Sequence, residues 1–274
     1  MMRPRIALIA AALALAGAGC SLQPSLDQIV SRCITARGGL DAIHGMRTKR
    51  QIGRIVFAGR DSGAFMVEIE RPGKMREELT LTGGRIIRTL NGTRGWIINT
   101  VRGDTQPETL SAGIVRNMTG GADLDGPLPD WKQKGYRVEL LGSEPVRGRE
   151  AWKLKITEPD SSVRYDFIDQ ATNLEVKWMF VLDQGGGQSM TFESYFSDYR
   201  PAGGVQHAYR IESGEAGRSL GQLLEFDRVD VNLPIDDADF GPPTIPAPPA
   251  PPKPAAKPAR HSKPKHHSAP RHKH

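Results

Sequence analysis

The chain has 274 residues and a net charge of +6, with 37 Lys and Arg against 31 Asp and Glu. Nine of the cations lie at the ends, two in the first 19 residues and seven beyond Gly241, which leaves 28 against 31 acids in between, or −3. A slightly acidic body excludes a nucleic-acid-binding domain, which gathers basic residues and stacking aromatics on a folded face, and two cysteines exclude a disulfide scaffold.

The opening stretch MMRPRIALIAAALALAGAGC sets Arg3 and Arg5 before an apolar run from Ile6 to Leu15, followed by small residues. This pattern is an export signal over residues 1–19, too short to span a bilayer as a mature helix. Cys20 closing the run resembles a bacterial lipoprotein box, with Gly17 where such boxes usually carry Leu. Ala16-Gly17-Ala18 also suits ordinary signal peptidase, and Cys20 would then be free to pair with Cys33 in an oxidising compartment. We expect lipid attachment at Cys20, residues 20–23 as the anchor, and the outer membrane facing the periplasm, since Ser21 is not the aspartate that holds lipoproteins at the inner membrane.

A single domain is expected over residues 24–240. It opens with Leu26, Ile29, Val30 and Cys33 at helical spacing, with Ser25 placed to cap and Gly38-Gly39 to stop the helix. After Thr48 the period becomes two, as in Met75, Leu79 and Leu81 against Arg76, Glu78 and Thr80. Between about Arg102 and Gly135 that period lapses, and Leu110, Ile114, Val115 and Met118 fall on one face of a second helix. Alternation then resumes in Trp152, Leu154 and Ile156; in Val163, Tyr165 and Phe167; and in Leu174, Val176, Trp178 and Phe180. Asn91-Gly92, Gly185 to Gly187 and Pro201-Ala202-Gly203-Gly204 supply turns. About a dozen strands joined by hairpins give one large antiparallel sheet, which must curl or split. Periodicity leaves open a sandwich, a closed barrel, or an incomplete barrel whose apolar concavity is covered by helices.

From Gly241 to His274 there is no acidic residue and one β-branched aliphatic, Ile245, so the segment cannot bury enough surface to offset its chain entropy. We expect a disordered Pro/Ala/Lys/His-rich tail, suited by its charge to an anionic envelope surface. Its five histidines do not make a dedicated metal site, which needs fixed geometry. Asp236, Asp237 and Asp239 lack the spacing of a calcium loop. GRSLG (Gly217 to Gly221) fits a nucleophile elbow only in letters, because a strand-like run follows and every later histidine is in the tail. We therefore expect no catalysis, no cofactor and no metal.

Three stretches carry a resemblance. IERPGKM, LNGTRGW and PIDDADFGPP are similar, in order, to the Arg-Pro strand end, the Asn-Gly turn before an aromatic, and the terminal Asp-Ala-x-Phe of the LolA/LolB-like lipoprotein-sorting carriers. That resemblance implies an α+β, mainly β fold, in which a curved antiparallel sheet forms an unclosed β-barrel with a few covering helices and holds acyl chains or lipidated proteins. It also implies that Arg71 latches the lid helices over the empty cavity; the plainer alternative is a strand-end arginine in a surface ion pair. The expected cavity and lid residues are Leu110, Ile114, Met118, Trp152, Leu154, Tyr165, Phe167, Trp178 and Phe180. A structural adaptor lipoprotein with a filled barrel, or an envelope-stress sensor, is the alternative use of such a fold.

Overall fold

The computed structural model describes residues 23–58, 62–185 and 188–245, with the backbone alone at 182–185 and 188. The expected signal, Cys20 and the expected tail beyond Ile245 lie outside the described residues. In chain order the elements are α1 (Leu26–Arg37), α2 (Leu40–His44), β1 (Thr48–Phe57), β2 (Ser62–Glu70), β3 (Lys74–Leu81), β4 (Gly84–Asn91), β5 (Arg94–Asn99), β6 (Glu108–Thr109) and α3 (Ala112–Gly121). There follow β7 (Arg137–Val146), β8 (Arg149–Thr157), β9 (Val163–Asp169), β10 (Glu175–Gly185), β11 (Gln188–Ala202), β12 (Val205–Glu215), β13 (Gln222–Val231) and a 3-10 turn, Asp237–Phe240.

All 13 strands form one antiparallel sheet in the order β6-β5-β4-β3-β2-β1-β13-β12-β11-β10-β9-β8-β7. Every pairing but one joins sequence neighbours, as hairpins require, and the exception is β1 with β13, which unites two meanders. The end strands β6 and β7 do not pair with each other, so the sheet stays open. It is the unclosed half-barrel that the resemblance implied.

Paired residues share a face, so the ladder can be followed across the sheet. Ile55 pairs with Leu224, Leu224 with Ile211 and Ile211 with Phe196. On the same face Ser194 pairs with Trp178, Trp178 with Asp166, Asp166 with Leu154 and Leu154 with Leu140. This is the inner face, because the helices lie on it. The buried side of α1 (Ile29, Val30, Cys33) packs with Val138, Leu154, Ile156 and Ile168 at the β7–β9 end. Ile43 and Met46 of the α2 region and Met118 of α3 join Ile55, Phe65, Val67, Ile69, Met75 and Leu90 at the other end.

The helix boundaries follow local chemistry. The Ser25 hydroxyl accepts from the Gln28 amide at 3.3 Å while the Gln28 side chain accepts from the Ser25 amide at 2.9 Å, a reciprocal cap. α1 stops at Gly38, whose φ of 127° and close fit against the β11–β12 turn both require glycine: a Cβ there would sit 2.1 Å from the Gly204 carbonyl oxygen. The Pro-Ala-Gly-Gly turn therefore serves as the seat of α1 as well as a chain reversal. Cys33 is a free thiol, 1% exposed, and burial pushes its pKa up to about 12, which keeps it unreactive.

The outer face has apolar clusters of its own. Val146, Ala151 and Phe167 form one, with Tyr165, Val176, Met179 and Tyr195 against it. Lys153 lies 5.4 Å from the Phe167 ring and Lys177 4.9 Å from the Tyr195 ring, so basic side chains cover these aromatics. The three terminal aspartates lie at the final turn, where Asp236 caps Ala238 at 3.0 Å and Phe240 is fully buried on the outer side of β3 and β4.

Candidate functional site

The inner face is not evenly covered. At the two ends of the sheet the helices pack on inward residues such as Met75 and Leu90 or Val138, Leu154 and Ile168 and bury them, whereas on β10 and β11 the inward side chains Trp178, Phe180, Phe192 and Phe196 are only partly buried. Trp178 stacks on Phe180 with ring centroids 4.9 Å apart, Phe180 meets Phe192 at 5.6 Å, and Trp178 meets Phe196 at 6.4 Å. Partly buried Phe57, Leu79, Ile211 and Leu224 continue the surface on neighbouring strands. The result is a lipophilic strip between two helix-covered ends.

Of the residues expected here, Trp152, Leu154, Trp178 and Phe180 face inward, the first two beneath α1. Leu110 and Met118 are buried in the inner core. Tyr165 and Phe167 are corrected: they pair with Lys155 and Lys153 and lie on the outer face. Ile114 is also corrected, since it is 39% exposed and its neighbour Val115 makes the inward contact instead. A bulge between Glu175 and Lys177 shifts the phase of β10, so Val176 points outward while Trp178 points inward. Ser219 of GRSLG is exposed in the turn between β12 and β13, with no helix after it.

Arg71, at the end of β2, is placed to hold the cover. Its Nε donates to the Met46 carbonyl at 2.5 Å and its Nη2 to the Ile43 carbonyl at 3.1 Å, both at the end of α2. Its two Nη groups also grip both carboxylate oxygens of Asp125, just beyond α3, one of them at 2.9 Å. Arg37 of α1 donates to the Asp125 carbonyl at 2.6 Å. Burial opposes ionisation of Asp125, but the Arg71 hydrogen bonds and charge, with Lys134 and His44, outweigh it and hold the carboxyl below its ordinary value. One guanidinium thus ties β2 to the α2 end and to the segment after α3, with the α1 end joined through the same aspartate.

Polar groups also face inward. Arg164 donates to Asp166 at 2.7 Å and to Glu175 at 3.2 Å, with its guanidinium 5.2 Å from the Trp178 ring. Burial and the Asp166 charge raise the Glu175 pKa, against the pull of Arg164 and Arg37. Across β11 and β12 the Ser194 and Ser213 hydroxyls meet at 2.7 Å. His207, 8% exposed, hydrogen-bonds the Ala202 carbonyl at 3.3 Å, which makes its Nε2 the protonated nitrogen. None of these was singled out from sequence, nor were Asp125, Phe192 and Phe196. Among the described residues no cluster of three His, Cys, Asp or Glu could hold a metal. A separate groove of about 540 Å³ lies away from the aromatic strip, between α1, the α2 start and residues 128–133, lined by Ile34, Leu40 and Trp131.

His207 gives a pH signature. Burial, then the Lys49 charge, push its pKa from 6.5 down to about 4, against the hydrogen bond to Ala202. As pH falls, the unfolded chain takes up this proton first, so stability drops from about pH 6.5 and levels off near pH 4. The loss attributable to this group is at most about 3 kcal/mol. Urea unfolding between pH 7 and pH 4 should show a flatter profile for His207→Gln; parallel profiles would remove the assignment.

No protein-family model and no curated protein matches the chain. Solved structures do match it in fold. A DUF1329 family protein from Desulfovibrio piger ATCC 29098 superposes with a TM-score of 0.53 at 12% identity, over 78% of this chain and 96% of that one. A LolA superfamily protein from Nitrosomonas europaea does so with a TM-score of 0.51 at 16% identity, over 80% of this chain and 98% of that one. At such identities the likeness speaks for fold alone. With its open 13-stranded sheet and helices laid on the inner face, the chain has a LolA-like fold.

Proposed function

We propose that this chain is an exported envelope lipoprotein that binds acyl chains, free or attached to lipidated proteins, on the inner face of its half-barrel and performs no catalysis. The observation that carries this reading is the partly buried aromatic strip of Trp178, Phe180, Phe192 and Phe196, which faces inward yet belongs to neither of the two core clusters that the helices complete. Apolar surface of this kind gains about 25 cal/mol per Å² when a chain covers it, and uncovered contiguous apolar surface marks a binding site. Lipidation of Cys20 would hold the domain at the outer membrane, and the cationic tail would add screened attraction to anionic lipid or wall polymer.

The test is titration with a fluorescent fatty acid, combined with native mass spectrometry of co-purified lipid. Wild type should bind, Phe192→Asp should bind at least about tenfold more weakly because it sets a charge in the strip, and Ile114→Asp, on the exposed side of α3, should bind as wild type does. If wild type binds no probe under conditions where an established carrier does, the carrier reading fails and the filled-barrel adaptor replaces it.

A further inference from the structure

Lys49 is a charged residue on an apolar wall. It pairs with Val231 on one side and Ile69 on the other, both on the inner face, near the helix-covered end of β1. The other inward charges described above are engaged: Arg37 on the Asp125 carbonyl, Arg164 on Asp166 and Glu175. Among the described residues Lys49 has no carboxylate, carbonyl or hydroxyl partner. Its surroundings are cationic or neutral, with Gln51 two residues along β1 and 8% exposed, His207 facing inward from β12, and the Arg37 guanidinium from α1. A desolvated ammonium without a counter-charge is costly to fold around, and the site has three donors to offer an anion.

We propose that Lys49, with His207 and Gln51 beside it, is a headgroup site for the anionic group, carboxylate or phosphate, of an amphiphile whose chain lies on the inner face. This rests on the carrier reading and adds to it a preference among ligands. His207 to Ser213 spans roughly 20 Å of β12 at about 3.4 Å per residue, and Ile211 on that strand pairs with Phe196 of the aromatic strip. A chain entering over the strip would thus run along β12 toward Lys49. Burial and the nearby Arg37 charge push the Lys49 pKa down to about 8, with no acid raising it, so at neutral pH the ammonium is still largely protonated and lacks an anion.

The experiment compares four single-chain amphiphiles of one chain length, bearing carboxylate, phosphate, alcohol and ammonium heads, on the full mature protein and on Lys49→Met and Lys49→Arg. Wild type should prefer the two anions over the alcohol by about tenfold or more, and the carboxylate and phosphate arms rank the two anionic heads. Lys49→Met should lose that preference while keeping alcohol affinity, and Lys49→Arg should retain it. Lys49→Met should also melt no lower than wild type, since it removes an unpaired charge. Equal affinity for acid and alcohol in wild type, or an unchanged preference in Lys49→Met, overturns the headgroup site and leaves the carrier reading standing. A lower melting temperature for Lys49→Met also overturns it, by making Lys49 a structural residue. Failure of all four amphiphiles to bind wild type overturns both.

Discussion

Arg71→Leu should destabilise the domain by about 3 kcal/mol and free its cover. Removing one partner of a buried ion pair costs about 3–5 kcal/mol because the other charge is left stranded. The lower end applies here, since the Arg71 side chain is 32% exposed and Lys134 stays 3.7 Å from Asp125, whose own side chain is 10% exposed. For a domain of this size that is a fall in melting temperature of roughly 6–12 °C. Amide exchange should accelerate most at the end of α2 and in residues 122–126, the two segments the guanidinium joins. On the carrier reading, acyl probe should dissociate more slowly from the variant, because re-forming these hydrogen bonds would no longer favour an empty, closed state. A double-mutant cycle with Asp125→Leu should recover a coupling of at least about 1 kcal/mol. A fall below 2 °C with unchanged exchange would reduce Arg71 to an ordinary strand-end ion pair.

Phe240→Ala should cost about 3–5 kcal/mol, the range for removing a fully buried phenylalanine. The ring has no exposed surface, Lys74 lies 5.8 Å from its centroid, and the flanking backbone is held by Thr89, whose hydroxyl donates to the Gly241 carbonyl at 2.8 Å, and by Arg76, which donates to the Asp239 carbonyl at 3.3 Å. The turn sits on the outer side of β3 and β4, away from the aromatic strip. Urea denaturation should therefore show the loss, while acyl affinity of the folded fraction stays at the wild-type value. A loss under 1 kcal/mol would mean that the segment rests on the sheet without securing it.

The two halves of the sequence pattern carried different information. Period-two runs marked nearly every strand, and Asn91-Gly92 and Gly203-Gly204 marked hairpins that exist, because turn chemistry is local. Alternation says which residues share a face but not which face points inward. Tyr165 and Phe167 show why: β9 turns its charged residues Arg164 and Asp166 inward and its aromatics outward, where Lys153 and Lys177 shield them, so the apolar side of the alternation is the outer one. Arg71 was legible through its Arg-Pro context, whereas its partner Asp125 was one of three aspartates in a loop with no motif around it. Lys49 and His207 were invisible for the same reason, since a single polar residue at an alternating position looks like one on a wet face until the register places it. Ile114 and Val115 are adjacent on one helical stripe, and only packing against the sheet decides which turns in.

The pairing of β1 with β13 also bears on how the chain folds. The hairpins of each meander close short loops and can form early, but Arg50 meets Asp230 only after nearly the whole domain has been made. Loop-closure entropy grows as about (3/2)RT ln n, so this last seam is costly to initiate and is rewarded only when the inner faces of both meanders come under the helices together. Folding should therefore be slow and late-committing. Until the seam closes, each meander exposes the aromatic and aliphatic face that the finished domain turns inward, together with an unpaired β1 or β13 edge. Such a chain depends on protection until that seam closes in a way that a helical protein of the same length does not.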